Sequence, residues 1–312
     1  MKIIIKIGTS TLTDKTGGLN KKYIASLAKN ISNLRKDGNE ILIVSSGAIG
    51  AGMGCLKLKN KPKTLRQKQA LAAVGQPLIM NAYGEAFRVY GINVAQVLLT
   101  RDDFDNRIKY INARNTLCEL MEKGIIPVIN ENDTVAVEEI NFGDNDTLAA
   151  LAAAAVDADK LIIFTDVDGL YEGHPSRGLF IARVEKITED IESFAGSDSS
   201  SGKGRGGMKT KILAAKIAAA AGADTIIANG ANPDILKDIN NEKARCTVFK
   251  AKTCRMEAKK SWIAFGKKPK GILTVDKKAA EALIKKGKSL LAAGITGVSG
   301  NFKRGDTVTV SE

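Results

Sequence analysis

Short apolar runs alternate along this chain with stretches of helical period. Residues 2–7 and 41–44 are rich in β-branched side chains and are closed by Gly8 and by Ser45-Ser46-Gly47, as expected of strands buried on both faces. Between them Ile24, Leu27, Ala28, Ile31 and Leu34 recur at helical spacing, with Asn20 placed to cap the start and Gly38 just past the end. The alternation continues with strands predicted at 94–99, 125–129, 160–165 and 225–228, separated by helices at 65–74, 77–90, 112–123, 147–155 and 208–221. A last strand is expected at 306–310. This order predicts an α/β fold, a three-layer αβα sandwich around a mostly parallel sheet. Ligands in such sheets bind beyond the carboxyl ends of the strands, so the residues just after each apolar run are the candidates for chemistry. Residues 196–207 are too poor in apolar side chains to pack and read as a flexible loop leading into a helix.

Composition narrows the picture. With 312 residues, 44% of them hydrophobic, the chain can bury a large core in one to three domains. The three isoleucines between Lys2 and Lys6 are too few for a signal peptide. The longest apolar run, Leu148 to Val156, is less than half of a bilayer span, so a soluble cytoplasmic protein is expected. The net charge of +13 is uneven: residues 243–312 hold 17 Lys+Arg against 5 Asp+Glu. That break, and a second shift near Trp262 and Pro269, divide the chain into a first domain over 1–255, a linker over 256–269 and a small basic domain over 270–312. Cys55, Cys118, Cys246 and Cys254 form no CxxC pair and read as four buried free thiols; no metal site is expected. One histidine, His174 in a turn-like Gly-His-Pro, argues against Ser-His-Asp hydrolysis.

Polar motifs fall at the predicted strand ends. Lys6-Ile7-Gly8-Thr9-Ser10 puts a lysine and a glycine where phosphate oxygens could approach the backbone, although a structural lysine at a strand edge has the same appearance. Val44 to Gly52 is glycine-rich and either frees amides for an anion or makes a tight strand-to-helix turn. Asn130-Glu131-Asn132-Asp133 and Gly143-Asp144-Asn145-Asp146 concentrate carboxylates and amides, as a binding site or as loop caps. Thr165-Asp166-Val167-Asp168-Gly169 lacks the oxygen series of a calcium loop and suits a turn or a nucleotide contact. Gly204 to Lys211 is the strongest phosphate signal, with glycines at a helix start and two lysines, Lys209 and Lys211. It is neither a Walker loop nor a dinucleotide fingerprint.

Taken in order, Lys6 to Ser10, Ser45 to Ala48, Asn130 to Asp133, Gly143 to Asp146 and Gly206-Gly207-Met208 resemble the glutamate 5-kinases of the amino-acid kinase family over almost the whole chain. Supporting stretches are Lys68 to Gln76, Gln96 to Arg101 and Asn112 to Thr116. The resemblance implies that ATP is handled by Lys6, Gly8, Thr165, Asp166 and the stretch Arg205, Gly206, Gly207, Met208, Lys209, Thr210 and Lys211. It implies that L-glutamate is bound by Ser46, Asp133 and Asn145. Lys6, Lys211 and Asp146 would be catalytic, with Asp146 orienting the lysines or Mg2+. It further implies a homo-oligomer, proline as feedback inhibitor, and a glutamate-5-semialdehyde dehydrogenase as user of the product. Two positions depart from the family pattern, Arg205 where a threonine is usual and His174-Pro175 where an Asp-Pro pair is usual.

The tail resembles the start of a PUA domain, from Gly271-Ile272-Leu273 through Gly297 to Phe302, and stops early. A shortened chain with an incomplete barrel and an unpaired sheet edge is therefore expected. Two other readings fit the same residues. One is a sibling kinase acting on another small carboxylate, carbamate or a nucleoside monophosphate. The other is an RNA-binding protein that uses the basic tail.

Overall fold

Six of the apolar runs become neighbours in one sheet. The computed structural model describes residues 1–13, 18–136, 145–173, 178–195, 207–251, 269–303 and 306–312. Gly143, Asp144, His174, Arg205, Gly206, Cys254 and most of the 256–269 linker lie outside the described residues. The chain divides into two compact units, Met1–Ser261 and Trp262–Glu312.

In the first unit β1 (Lys2–Lys6) pairs in parallel with β2 (Glu40–Val44) on one side and β5 (Lys160–Thr165) on the other. Beyond β2 lie β4 (Ile126–Glu131) and β3 (Val94–Leu99); beyond β5 lies β9 (Asp224–Asn229), all parallel. The far edge reverses: β10 (Cys246–Phe249) runs antiparallel to β9 and carries β8 (Arg183–Val184) parallel to itself. A two-stranded hairpin, β6 (Leu170–Glu172) with β7 (Leu179–Ile181), stands apart from this sheet. The central strands are buried on both faces because helices cover both.

One face packs on α2 (Lys21–Lys36), α3 (Ala48–Cys55), α4 (Leu65–Arg88) and α10 (Ile235–Asn240), joined in one core by Ile3, Ile5, Ile24, Leu27, Ile43, Ile79, Tyr83, Phe87, Phe164 and Leu236. The other packs on α6 (Arg107–Glu122), α7 (Asn145–Ala155) and α9 (Met208–Ala220). Helix α7 is buried from Asp146 to Ala155, and its alanines let it lie directly against the alanine-rich face of α9. That contact sets the first turns of the two helices side by side.

Several elements differ from expectation. The helices expected at 65–74 and 77–90 are one helix, α4, running through Pro77. Pro77 lacks the N–H that would bond one turn back and disfavours helix at Gln76, which is why a break was expected. Tertiary packing overrides it. A Cβ on Gly52 would lie 2.0 Å from the Leu71 carbonyl oxygen, and one on Gly75 would lie 1.9 Å from that of Ala48, so α3 and α4 touch backbone to backbone through glycines. Helix α6 starts at Arg107 rather than 112, capped by Asn106, whose Oδ1 accepts from Ile108 and Lys109 amides. Its first turn shows no apolar period because Ile108 is exposed. The short α1 (Thr9–Leu12), α5 (Arg101–Asp105) and α8 (Glu189–Phe194), and β6, β7, β8 and β10, had no period long enough to read. The expectation of buried thiols fails at Cys55, which is exposed at the end of α3; Cys118 and Cys246 are half-buried.

The second unit is a three-stranded sheet, with β11 (Gly271–Val275) between an antiparallel β12 (Ile295–Gly300) and a parallel β13 (Thr309–Ser311), plus helix α11 (Lys277–Lys286). The last strand therefore starts later than residue 306. Asp276 caps α11 by accepting from the Ala279 amide, and Gly287 ends it in the left-handed region that favours glycine. Lys277, Lys278, Lys285 and Lys288 are exposed. No helix among the described residues is long and apolar enough to cross a membrane.

Candidate active site

The parallel registers bring the ends of β1, β2, β4, β5 and β9 to one edge, and the first turns of α7 and α9 cover it. Lys6 is the last residue of β1, and its Nζ lies 2.6 Å from Oδ1 of Asp146. Lys211, in the first turn of α9, places Nζ 3.0 Å from Oδ2 of the same carboxylate. Thr210 Oγ stands 3.1 Å from that Oδ2 and 2.8 Å from the Gly207 carbonyl oxygen, so its single proton serves one of them at a time. Asp146 is wholly buried and both lysines are 5% exposed. One carboxylate thus holds two ammonium groups in a desolvated cluster. Asp146 is also favoured electrostatically, sitting at the positive end of α7. Two ammonium groups converging in a desolvated site are the arrangement expected of a centre that stabilises a phosphoryl group. Gly8 borders this ammonium group: a Cβ placed there would stand 3.9 Å from Lys6 Nζ.

Beside this cluster lies a relay of neutral amides. Asn145 Nδ2 lies 2.7 Å from the Ser45 carbonyl oxygen, 2.8 Å from Ser46 Oγ and 2.9 Å from Asn130 Oδ1, and its two hydrogens serve two of the three at a time. Asn130 Oδ1 also accepts from the Glu131 amide, and Asn130 Nδ2 donates to Gln76 Oε1 at 2.9 Å. Gly47, at φ +94°, turns the chain from β2 into α3 immediately after Ser46. Beneath Ser46, the buried Tyr83 hydroxyl lies 3.2 Å from Ser45 Oγ. Burial raises the Tyr83 pKa, with the Ser45 hydrogen bond acting weakly the other way, so the phenol stays protonated. Asp133 lies in the turn after β4, where the Asn132 amide bonds the Leu99 carbonyl. It lines a small cavity of about 10 Å3 with Ala48, Gln76, Leu98, Glu131 and Asn132.

On the other side, Thr165 ends β5 and donates to Asp166 Oδ1 at 3.0 Å. Asn229, at the end of β9, donates to the Asp166 carbonyl oxygen at 3.3 Å, and the Gly230 amide bonds the Thr165 carbonyl. Asp168 accepts from Tyr171 and from Arg245, whose guanidinium also lies over the Phe180 ring. Lys209 does not join Lys211. It is exposed and faces an open groove of about 240 Å3 with Glu192, Ile212, Leu213 and Lys216. Arg205 and Gly206 are outside the described residues.

Residues 1–229 match the amino acid kinase family. The chain belongs to the amino acid kinase family. Residues 271–312 match the PUA domain. Among relatives of this amino acid kinase, a glutamate 5-kinase of Caldanaerobacter subterraneus subsp. tengcongensis is 49% identical over 313 residues, spanning 99% of this chain and 84% of the relative. A glutamate 5-kinase of Bacillus cereus is 44% identical over 313 residues, spanning 99% of this chain and 85% of the relative. Of solved structures, carbamate kinase from Giardia lamblia bound to AMP-PNP aligns with a TM-score of 0.58 at 16% identity, covering 80% of this chain and 98% of that one. UMP kinase from Ureaplasma parvum aligns with a TM-score of 0.57 at 15% identity, covering 80% of this chain and 98% of that one. At such identities the likeness speaks for the amino acid kinase fold alone.

Three polar residues at this amino acid kinase's sheet edge escaped the sequence reading as site residues. Asn130 and Gln76 lie within the stretches that carry the family resemblance, and Asn229 is the last residue of β9, one beyond the strand expected at 225–228. Position directly after an apolar run was a signal for Asn130 and Asn229; for Gln76, mid-helix, there was none.

Proposed function

We propose that this chain transfers the γ-phosphoryl group of ATP to the γ-carboxylate of L-glutamate, giving L-glutamyl 5-phosphate and ADP, the first step of proline biosynthesis. The observation that carries the reading is the pair Lys6 and Lys211, drawn from opposite ends of the first unit onto Asp146 beside the Ser46–Asn145 contact. Its support among relatives is the near full-length similarity to glutamate 5-kinases.

The chemistry needs no general base. A glutamate carboxyl has an ordinary pKa of about 4.3 and is ionised at neutral pH, so one of its oxygens attacks phosphorus directly. The new bond joins carboxylate oxygen to the γ-phosphorus, the bond to the β,γ-bridging oxygen breaks, and ADP leaves with that electron pair. Lys6 and Lys211 lower the barrier by neutralising charge on the transferring group, and Asp146 keeps both ammonium groups aimed at it. Asp133 pairs with the acceptor ammonium, while Ser46 and Asn145 hydrogen-bond its carboxylates. Thr165, Asp166 and the residues from Gly207 to Lys211 hold the nucleotide with Gly8.

The described residues gather no group of three carboxylate, His or Cys ligands. Asp146 and Asp166 are the carboxylates that would lie near a Mg2+ ion carried on the nucleotide phosphates, a hard cation that takes oxygen donors. When bound, Mg2+ supplies further charge neutralisation on the phosphates. A homo-oligomer in the cytoplasm, inhibited by proline and passing its unstable product to glutamate-5-semialdehyde dehydrogenase, completes the proposal.

The test is ADP release with ATP and Mg2+, paired with hydroxylamine trapping of the acyl phosphate, over L-glutamate, N-acetylglutamate, aspartate, carbamate and UMP, with and without proline. Glutamate-dependent hydroxamate is expected. Turnover of another acceptor with none on glutamate would overturn the reading.

A further inference from the structure

Gln76 is 7% exposed, and its Nε2 has no hydrogen-bond partner among the described residues. Buried amide donors left unmet are uncommon and costly, so this one calls for a partner that arrives later. The relay fixes which end of the side chain is left over. Ser45 offers a backbone carbonyl, which only accepts, so Asn145 must present Nδ2 there. Glu131 offers a backbone N–H, which only donates, so Asn130 must present Oδ1 to it and Nδ2 to Gln76. Gln76 therefore meets Asn130 through Oε1, and Nε2 is left to the cavity that Gln76 lines with Asp133 and Glu131.

We propose that Gln76 is a specificity-determining residue that donates a hydrogen bond from Nε2 to the α-carboxylate of the acceptor, an inference that rests on the glutamate reading above. The α-ammonium and α-carboxylate share one carbon, so the residue that meets the carboxylate must share a cavity with the one that meets the ammonium. Gln76 and Asp133 do. The γ-carboxylate lies a side chain's length away, toward Lys6 and Lys211. Two carboxylates in the cavity, Glu131 and Asp133, attract the ammonium and repel a neighbouring carboxylate. A neutral donor held rigid by the relay offsets that repulsion without adding a charge for either of them to pair with.

The test compares L-glutamate with two analogues in the full-length chain. 4-Aminobutyrate keeps the ammonium and the reacting carboxylate but lacks the α-carboxylate; glutarate keeps both carboxylates and lacks the ammonium. Binding of each is read as the ligand concentration that half-saturates the shift in melting temperature, and KM and kcat are measured for glutamate. Gln76→Met keeps the side-chain length and removes the donor. It is expected to raise the glutamate KM roughly ten- to a hundred-fold, the scale of one hydrogen bond to a charged group. Glutarate should weaken alike, 4-aminobutyrate should be unmoved, and the KM for ATP should stay the same. Gln76→Glu keeps an acceptor for Asn130, removes the donor and adds a carboxylate that attracts the ammonium; if Gln76→Met loses its cooperative melting transition, it decides, with glutamate and glutarate weakened and 4-aminobutyrate held or tightened. An unchanged glutamate KM, or equal weakening of all three ligands, would assign Gln76 to holding Asn130 alone and overturn the proposal. Glutamate turnover by the unsubstituted chain tests the acceptor reading separately, so the two can fail independently.

Discussion

The proposed acceptor half of the sheet edge and the proposed nucleotide half are held together by different physics. On the acceptor side Gln76, Asn130 and Asn145 form a largely buried chain of neutral amides whose directions are set by backbone groups at Ser45 and Glu131. The helices behind it meet backbone to backbone at Gly52 and Gly75. On the nucleotide side Thr165 and the exposed Asp166 bond each other at the surface, and the following loop is clasped by Asp168, Tyr171 and Arg245. Between them sits the buried charge cluster of Lys6, Asp146 and Lys211. The difference teaches a division of labour. A rigid neutral relay can read an amino acid without competing for the lysines, whereas exposed charged contacts are screened by solvent and contribute little rigidity.

The largest expected effect lies at the junction of the halves. Lys6→Ala should lower kcat roughly a hundred- to a thousand-fold, the scale of one lost transition-state donor. The melting temperature should hold, because Asp146 keeps Lys211 and Thr210. Near-normal turnover in the steady-state assay would remove Lys6 from the mechanism and leave the cluster as a structural ion pair.

Next comes Gly75→Ala, which sharpens the comparison by disturbing one half only. The added methyl meets the Ala48 carbonyl at a distance no side chain tolerates, so α3 and α4 must part, at a cost of about 1–3 kcal/mol. Because Ala48 follows Ser46 and Gly47, the glutamate KM should rise while the KM for ATP stays put. Denaturant melts and two-substrate kinetics check both, and a matching rise in the KM for ATP would break the separation.

The smallest effect is expected at the surface clasp. Burial works to raise the pKa of Asp168, but hydrogen bonds from Tyr171 and Arg245 outweigh it and hold the carboxyl below its ordinary value. A depressed folded pKa contributes stability above the unfolded value, about 3.9, that is lost as pH falls through the lower folded value. Arg245→Ala should therefore lower the melting temperature slightly at neutral pH, and the gap from the unsubstituted chain should close below about pH 4. A gap independent of pH would assign the loss to the Arg245–Phe180 contact instead.

The strands of the first sheet were legible wherever a run of β-branched residues ended in glycine or serine, as at Lys6-Ile7-Gly8 and Val44-Ser45, because burial on both faces leaves no polar position to blur the pattern. Gly8, Ser46 and Lys211 could be picked out for the same reason, since each follows an apolar run or opens a helix. The alternation, the edge at which the chemistry gathers and the residue types placed there are all local properties of the chain. Tertiary structure alone decided three further matters. Packing carried α4 through Pro77, because two glycine contacts outweigh one lost backbone hydrogen bond. The alanine faces of α7 and α9 set Asp146 between lysines more than two hundred residues apart, and no local pattern encodes such a pairing. The amide relay gave Gln76 its free donor, because the direction of a side-chain amide is fixed by its neighbours in space and not by its neighbours in sequence.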